Sequence, residues 1–225
     1  YVVTPLNNDY ELRYLDWVEG NRRKVSEATG GRVGYMHVPD TAVRGVTEFS
    51  RALYMQNGKD GLIVDGRYNS GGFIPSGMVE MLARHPLSRW ARRDYKDFRT
   101  PAVGIHGPMV CITNEYAGSG GDALPYYFRL YGLGPVIGHR TWGGLVGISR
   151  SIPMIDGGGV TMPDFGLYNL KGQWDVENHG IDPDIEIFQD PSAVVSGHDP
   201  QLEKAIEIEQ EKLKTLPPTP TPCRD

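Results

Sequence analysis

Cysteine is scarce in this chain of 225 residues, which contains only Cys111 and Cys223. Cys111 lies in an apolar segment that we expect to be buried, whereas Cys223 lies in a proline-rich tail, so no disulfide between them is expected. The patterns CxxC, HExxH and HxxEH are all missing, which argues against a zinc site. This use of cysteine is typical of a reducing compartment, and we expect a cytoplasmic location.

Long apolar runs and clusters of basic residues are missing as well. No run approaches the roughly 20 residues of a membrane span, and no secretory signal opens the chain, so no membrane association is expected. The net charge is −5, with lysine and arginine dispersed among acids, which argues against nucleic acid as a partner. Because the first residue is Tyr1 rather than Met, we expect a processed chain or a piece of a longer one.

Glycine, by contrast, is abundant at 29 residues, and its runs separate alternating helical and extended patterns. Apolar residues at helical spacing predict helices over 9–28, 47–55, 75–84, 123–131 and 199–214. Short apolar runs predict strands over 32–38, 61–65, 102–105, 109–112, 135–138 and 185–187, and extended segments over 148–155 and 160–167. The alternation is typical of an α/β fold with a mostly parallel sheet. We expect one domain over residues 1–216 and a proline-rich tail over 217–225.

Ser119 lies in the most informative segment, a glycine-rich turn between a predicted buried strand and a predicted helix. At such a turn, free backbone N–H groups and the helix dipole favour negative charge. That geometry suits an acyl-transfer nucleophile with its oxyanion hole. The alternative is a helix cap, because Ser119 and Asp122 match the S-x-x-D capping box. The flanking Gly118, Gly120 and Gly121 favour the nucleophile, since a close approach of substrate to the backbone requires them and a cap does not.

A second glycine-rich loop, which contains Gly71 and Gly72, follows the predicted strand over 61–65. Ligands bind beyond the carboxyl ends of parallel strands, so this loop and the Ser119 turn are expected to face one crevice, unless the glycines form only a tight turn. An acid-rich segment over 174–184 contains Glu177, which could orient a catalytic base or belong to a solvated loop. None of the six histidines carries a spacing signature, and for each we expect a structural or surface role.

Five segments together resemble the S41 serine peptidases, in their tricorn-like branch: GRVGYMHVPD, GLIVDGRYNSGGF, ITNEYAGSGGD, GHRTWGGLVGIS and VENHGIDPDIEI. They occur in the family order and cover most of residues 31–188. The resemblance implies the α/β core shared by the Clp protease and crotonase superfamily, and no cofactor. It implies Ser119 as nucleophile, the Gly120 amide as one oxyanion donor, Gly71 or Gly72 as the second, and Glu177 as an acid acting through a serine and a histidine.

In tricorn-like enzymes the base histidine and the bridging serine belong to a segment upstream of a PDZ-like domain, and no histidine here matches that position. The resemblance therefore implies a fragment with little or no peptidase activity of its own, because a serine without a base is a weak nucleophile. It also implies peptide substrates, upstream PDZ-like and β-propeller domains, and a ring-like homo-oligomer.

Other members of the family activate serine with a lysine in a T-x-G-K-G loop, and Gly144 stands in that position here. No lysine occurs between Lys96 and Lys171, so a serine–lysine dyad is disfavoured. Two alternatives stay open. A crotonase-like acyl-CoA hydratase or isomerase shares the two-amide hole but needs no nucleophilic serine. A non-catalytic peptide- or retinoid-binding module could use the same scaffold.

Overall fold

A sheet of five parallel strands lies at the centre of the computed structural model, which describes residues 5–216. In chain order, the strands of these residues are β1 (Val33–His37), β2 (Gly61–Asp65), β3 (Ser88–Trp90), β4 (Phe98–Thr100), β5 (Met109–Thr113), β6 (Val136–Gly138), β7 (Arg150–Pro153), β8 (Gly159–Met162) and β9 (Ile185–Glu186). The central sheet has the order β1-β2-β5-β6-β9, and every adjacent pair is parallel. β3–β4 and β7–β8 are separate antiparallel pairs.

Helices cover both faces of this sheet. They are α1 (Tyr10–Ala28), α2 (Val43–Met55), α3 (Pro75–Leu82), α4 (Gly120–Leu130), α5 (Pro191–Val195) and α6 (Pro200–Lys214). Side chains alternate along each strand, so Leu62 and Val64 pack with Phe49 of α2 and Phe128 of α4, whereas Ile63 packs on the opposite face with α1 and α6. Burial on both faces explains why these strands are apolar throughout. The predicted α/β fold with a mostly parallel sheet is confirmed.

Several elements differ from the sequence-based prediction, among them the short helix α5, which was not predicted, and α4, which begins at Gly120 rather than at 123. Residues 102–105 form no strand, and β5 begins only at Met109, after a segment interrupted by Gly104, Gly107 and Pro108. α2 begins at Val43 rather than at 47. The reason for the early start is Asp40, whose Oδ1 accepts the N–H groups of residues 42 and 45 and so satisfies donors at the helix terminus. The β3–β4 pair was not predicted, because its exposed residues lack an apolar pattern.

The carboxyl group of Glu209 is buried between α6 and the central sheet. Glu209 of α6 is fully buried against Gly61 at the start of β2, where a side chain would collide with it. Neither oxygen of the carboxyl group has a hydrogen-bond partner among residues 5–216. Burial raises the pKa of Glu209 to about 8, although nearby Lys212 opposes the shift.

Cys111 is buried in β5, as expected, and its thiol is free among the described residues. Cys223 and the proline-rich tail over 217–225 lie outside those residues, so the prediction about a disulfide between the two cysteines stays a prediction. Between residues 5 and 216, no helix combines the length and the apolar character that crossing a bilayer would require. The prediction of one domain over residues 1–216 stays a prediction.

Candidate active site

Ser119 occupies a strained turn between β5 and α4. Its φ of 56° and ψ of −118° lie in a region that residues other than glycine rarely adopt. Although Ser119 is the N-cap residue of α4, its side chain makes no capping hydrogen bond. The serine hydroxyl is therefore not used as a helix cap, and the Asp122 carboxylate accepts the N–H of Gly143 at 2.8 Å. Burial raises the pKa of Asp122, while hydrogen bonds from the Thr141 side chain and from backbone N–H groups, that of Gly143 among them, oppose the rise.

A cavity of about 920 Å³ opens in front of this turn, beyond the carboxyl ends of β2 and β5. The two glycine-rich loops meet there, as predicted: Gly72, Ser119 and Gly120 all line the cavity, and so does Glu177. Much of the remaining wall is apolar and comes from Phe73, Tyr127, Trp142, Leu145, Val146, Phe165 and Tyr168. All lining residues from Trp142 to Glu177 belong to the connection between β6 and β9, which includes the β7–β8 pair.

The structure separates the two glycines that the sequence left as alternatives. The N–H of Gly71 donates to Asn69 Oδ1 at 2.9 Å, and Gly71 is buried behind Ser119, where a Cβ would lie 2.8 Å from the serine Cβ. Gly72 lines the cavity, and its N–H has no acceptor within residues 5–216. The same holds for the N–H of Gly120 at the first turn of α4. Two free amides therefore border the cavity beside Ser119, and they belong to Gly72 and Gly120.

Two backbone N–H groups hold the Glu177 side chain in place. Its Oε2 accepts the N–H of Leu145 at 2.7 Å and the N–H of Val146 at 2.6 Å. The loop reaches this position through two residues with positive φ, Val176 at 70° and Asn178 at 61°. Among the described residues, the other oxygen of Glu177 has no hydrogen-bond partner. The carboxylate is thus fixed in orientation and keeps one free acceptor at the cavity.

No histidine or lysine between residues 5 and 216 lines the cavity. His37 is buried between Tyr14 and the carbonyl of Arg67, and its burial lowers the pKa of the ring. His179 pairs with Asp182 at 2.7 Å on the surface. Among the described residues, the cavity therefore brings together a serine, two free amides and a carboxylate, with no histidine or lysine beside them.

Two residues that the sequence analysis did not single out hold the site in shape. Thr41, just after β1, donates its N–H to the carbonyl of Gly71 at 2.7 Å and accepts the N–H of Ile74 at 3.0 Å. Asn69 joins three segments through its buried side chain and its carbonyl. Asn69 could have been suspected from its place directly before Ser70-Gly71-Gly72, whereas nothing local points to Thr41.

A parallel α/β core with a serine at a strained strand–helix turn, beside two free amides, is an arrangement that enzymes with a serine nucleophile share. The model of peptidase family S41 matches residues 32–187, and the chain therefore belongs to this family.

Tricorn proteases are among the proteins that this chain resembles. The chain is 40% identical to the Tricorn protease of Thermoplasma acidophilum over 95% of its own length, and 43% identical to that of Thermoplasma volcanium over 92%. A crystal structure of the tricorn protease matches with a TM-score of 0.91 and 40% identity over 96% of this chain. These matches confirm the predicted branch and fold. The chain spans only 20% of the length of both relatives and 21% of the crystallised chain.

Proposed function

We propose that this chain is the nucleophile-bearing part of a serine peptidase. The observation that carries the proposal is Ser119 itself, whose hydroxyl is not used as a helix cap and borders the same cavity as the Gly72 and Gly120 amides. The serine oxygen attacks the scissile carbonyl, and the two amides donate to the resulting oxyanion. The amine product then leaves, and water hydrolyses the acyl-enzyme to release the acid product.

The attack needs a group that takes the serine proton and passes it to the leaving amine. Glu177 is poorly placed for that step, because two backbone N–H groups already occupy its Oε2 and fix the carboxylate in place. It is better suited to orient a base and to stabilise that base once protonated. We therefore propose that a segment outside this chain supplies the base, in keeping with the fifth of its relatives' length that the chain spans. The upstream domains and the ring-like oligomer belong to the same proposal.

Co-expression of this chain with the polypeptide that precedes it in the parent protein tests the proposal. We expect a fluorophosphonate probe to label Ser119 rapidly in the combined protein and slowly in the chain alone, and Ser119→Ala to abolish both labelling and peptide hydrolysis. Rapid labelling of the chain alone would show that no outside base is needed. Stabilisation by CoA without labelling would instead support a crotonase-like enzyme, and tight peptide binding without hydrolysis, unaffected by Ser119→Ala, would support a binding module.

A further inference from the structure

We infer that Asn69 is a positioning residue that fixes the Gly72 amide relative to Ser119, an inference that rests on the function proposed above. Asn69 is fully buried, and both ends of its side-chain amide are used. Its Nδ2 donates to the carbonyl of Val38 at 2.8 Å, and its Oδ1 accepts the N–H of Gly71 at 2.9 Å. One short side chain thus ties the end of β1 to the loop that carries Gly72.

The backbone of the same residue reaches the nucleophile. The carbonyl of Asn69 accepts the N–H of Gly118 at 3.1 Å, one residue before Ser119. The α4 side of this contact is also tight, because a Cβ on Gly121 would lie 2.7 Å from the Asn69 carbonyl oxygen. Asn69 therefore sets the distance between the two glycine-rich loops, with Ser119 on one and Gly72 on the other.

The orientation of the Gly72 N–H follows from the peptide group that contains it. In a trans peptide, the carbonyl and the following N–H point in opposite directions. The carbonyl of Gly71 accepts the N–H of Thr41 at 2.7 Å, so the N–H of Gly72 points away from Thr41. Asn69 holds the preceding peptide group through the N–H of Gly71, whose φ of 93° suits glycine. The amide of Gly72 is thereby aimed without any contact to its own N–H, which stays free for a ligand.

The chemistry of this position suits asparagine. The site needs a donor and an acceptor on a side chain that is short enough to reach two residues ahead. Aspartate keeps the acceptor and loses the donor when it is ionised, but a protonated carboxyl group restores both. Alanine removes both and leaves the carbonyl of Val38 buried without this donor.

The test compares two ligands in the cavity of the combined protein, in which this chain is co-expressed with the polypeptide that precedes it. A peptide boronic acid forms a tetrahedral adduct with the oxygen of Ser119 and places a boron-bound oxygen at the two amides, whereas the matched peptide amide binds without forming an adduct. Because loss of one oxyanion donor typically costs about 100-fold or more, we expect Asn69→Ala to lower the ratio of boronate to amide affinity at least about tenfold. For Asn69→Asp, we expect a ratio near that of the wild type at low pH and a lower ratio once the introduced carboxyl group ionises, each compared with the wild type at the same pH.

Asn21→Ala is the matched control, because Asn21 is a buried asparagine that donates to Tyr35 and, within residues 5–216, has no hydrogen bond to either glycine-rich loop. It is expected to lower the melting temperature and to leave the affinity ratio unchanged. If the wild type forms an adduct but both Asn69 variants keep the wild-type ratio, Asn69 has only a structural role and the inference fails. If the wild type shows no tetrahedral boron signal by 11B NMR and Ser119→Ala binds the boronate equally well, the proposed function fails, and the inference fails with it.

Discussion

Replacing the buried carboxylate of Glu209 by an amide should make the protein more stable at alkaline pH. In the unfolded chain this group ionises near its ordinary pKa of 4.5, whereas in the folded protein burial raises the pKa to about 8. Between these values the unfolded state binds fewer protons than the folded state, so the carboxyl group lowers the free energy of unfolding as pH rises. The stability that the protonated Glu209 carboxyl group contributes is fully present below pH 4.5 and is lost by about pH 8.

Each pKa unit corresponds to about 1.36 kcal/mol, so the whole interval corresponds to about 5 kcal/mol at most. For Glu209→Gln, the gain over the wild type is expected to rise by roughly 3 kcal/mol between pH 5 and pH 8. Urea unfolding of both proteins across this pH range measures the gain. Because the wild-type free energy of unfolding is subtracted at each pH, the contributions of other titrating groups cancel. A gain that stays constant with pH would refute the reasoning, because it would mean that Glu209 ionises inside the folded protein as it does in water.

Three further predictions concern the candidate site. Ser119→Gly should raise the free energy of unfolding by about 1 kcal/mol, because glycine tolerates positive φ, and should abolish probe labelling; a less stable variant would contradict the strain described for this turn. Gly71→Ala should lower the free energy of unfolding by about 2–3 kcal/mol, and Gly58→Ala by about 1 kcal/mol. Both glycines have φ of 93°, but only at Gly71 would a Cβ collide with Ser119. Equal losses of stability for the two variants, measured by denaturant unfolding, would refute that difference. Glu177→Gln should change stability by less than about 1 kcal/mol, because its amide oxygen can still accept two N–H groups, yet it should slow labelling of the combined protein; unchanged labelling would exclude a role for the charge.

The elements that the sequence predicted well are those whose signal is local. The apolar runs of β2 and β5 are buried on both faces, and the glycines around Ser119 mark a turn that few other residues could form. Residues 102–105 have a similar apolar composition but no pairing partner in the sheet. Pairing depends on the rest of the fold, so a short apolar run by itself does not distinguish the two cases.

The candidate site was predictable in its parts and less so in their arrangement. Gly71 and Gly72 are adjacent and identical in type, and only the hydrogen bond from the first to Asn69 shows which amide stays free. Thr41 acts through its backbone on a loop thirty residues later, so its side chain carries no signal of that contact. The bond from Gly143 to Asp122 could not be predicted either, because Gly143 lies in a distant loop.

The connection between β6 and β9 separates two tasks within the cavity. Ser119 and the free amides belong to loops that directly follow strands of the sheet. The part of the cavity wall from Trp142 to Glu177 belongs to the connection between β6 and β9. Its exposed β7–β8 tip could be exchanged for a relative's sequence without touching the reacting groups, provided that Thr141 and Gly143 keep their bonds to Ile181 and Asp122. The lining itself comes mostly from residues on either side of the tip, so substitutions there would reshape the cavity while the nucleophile and its two amides stay as they are.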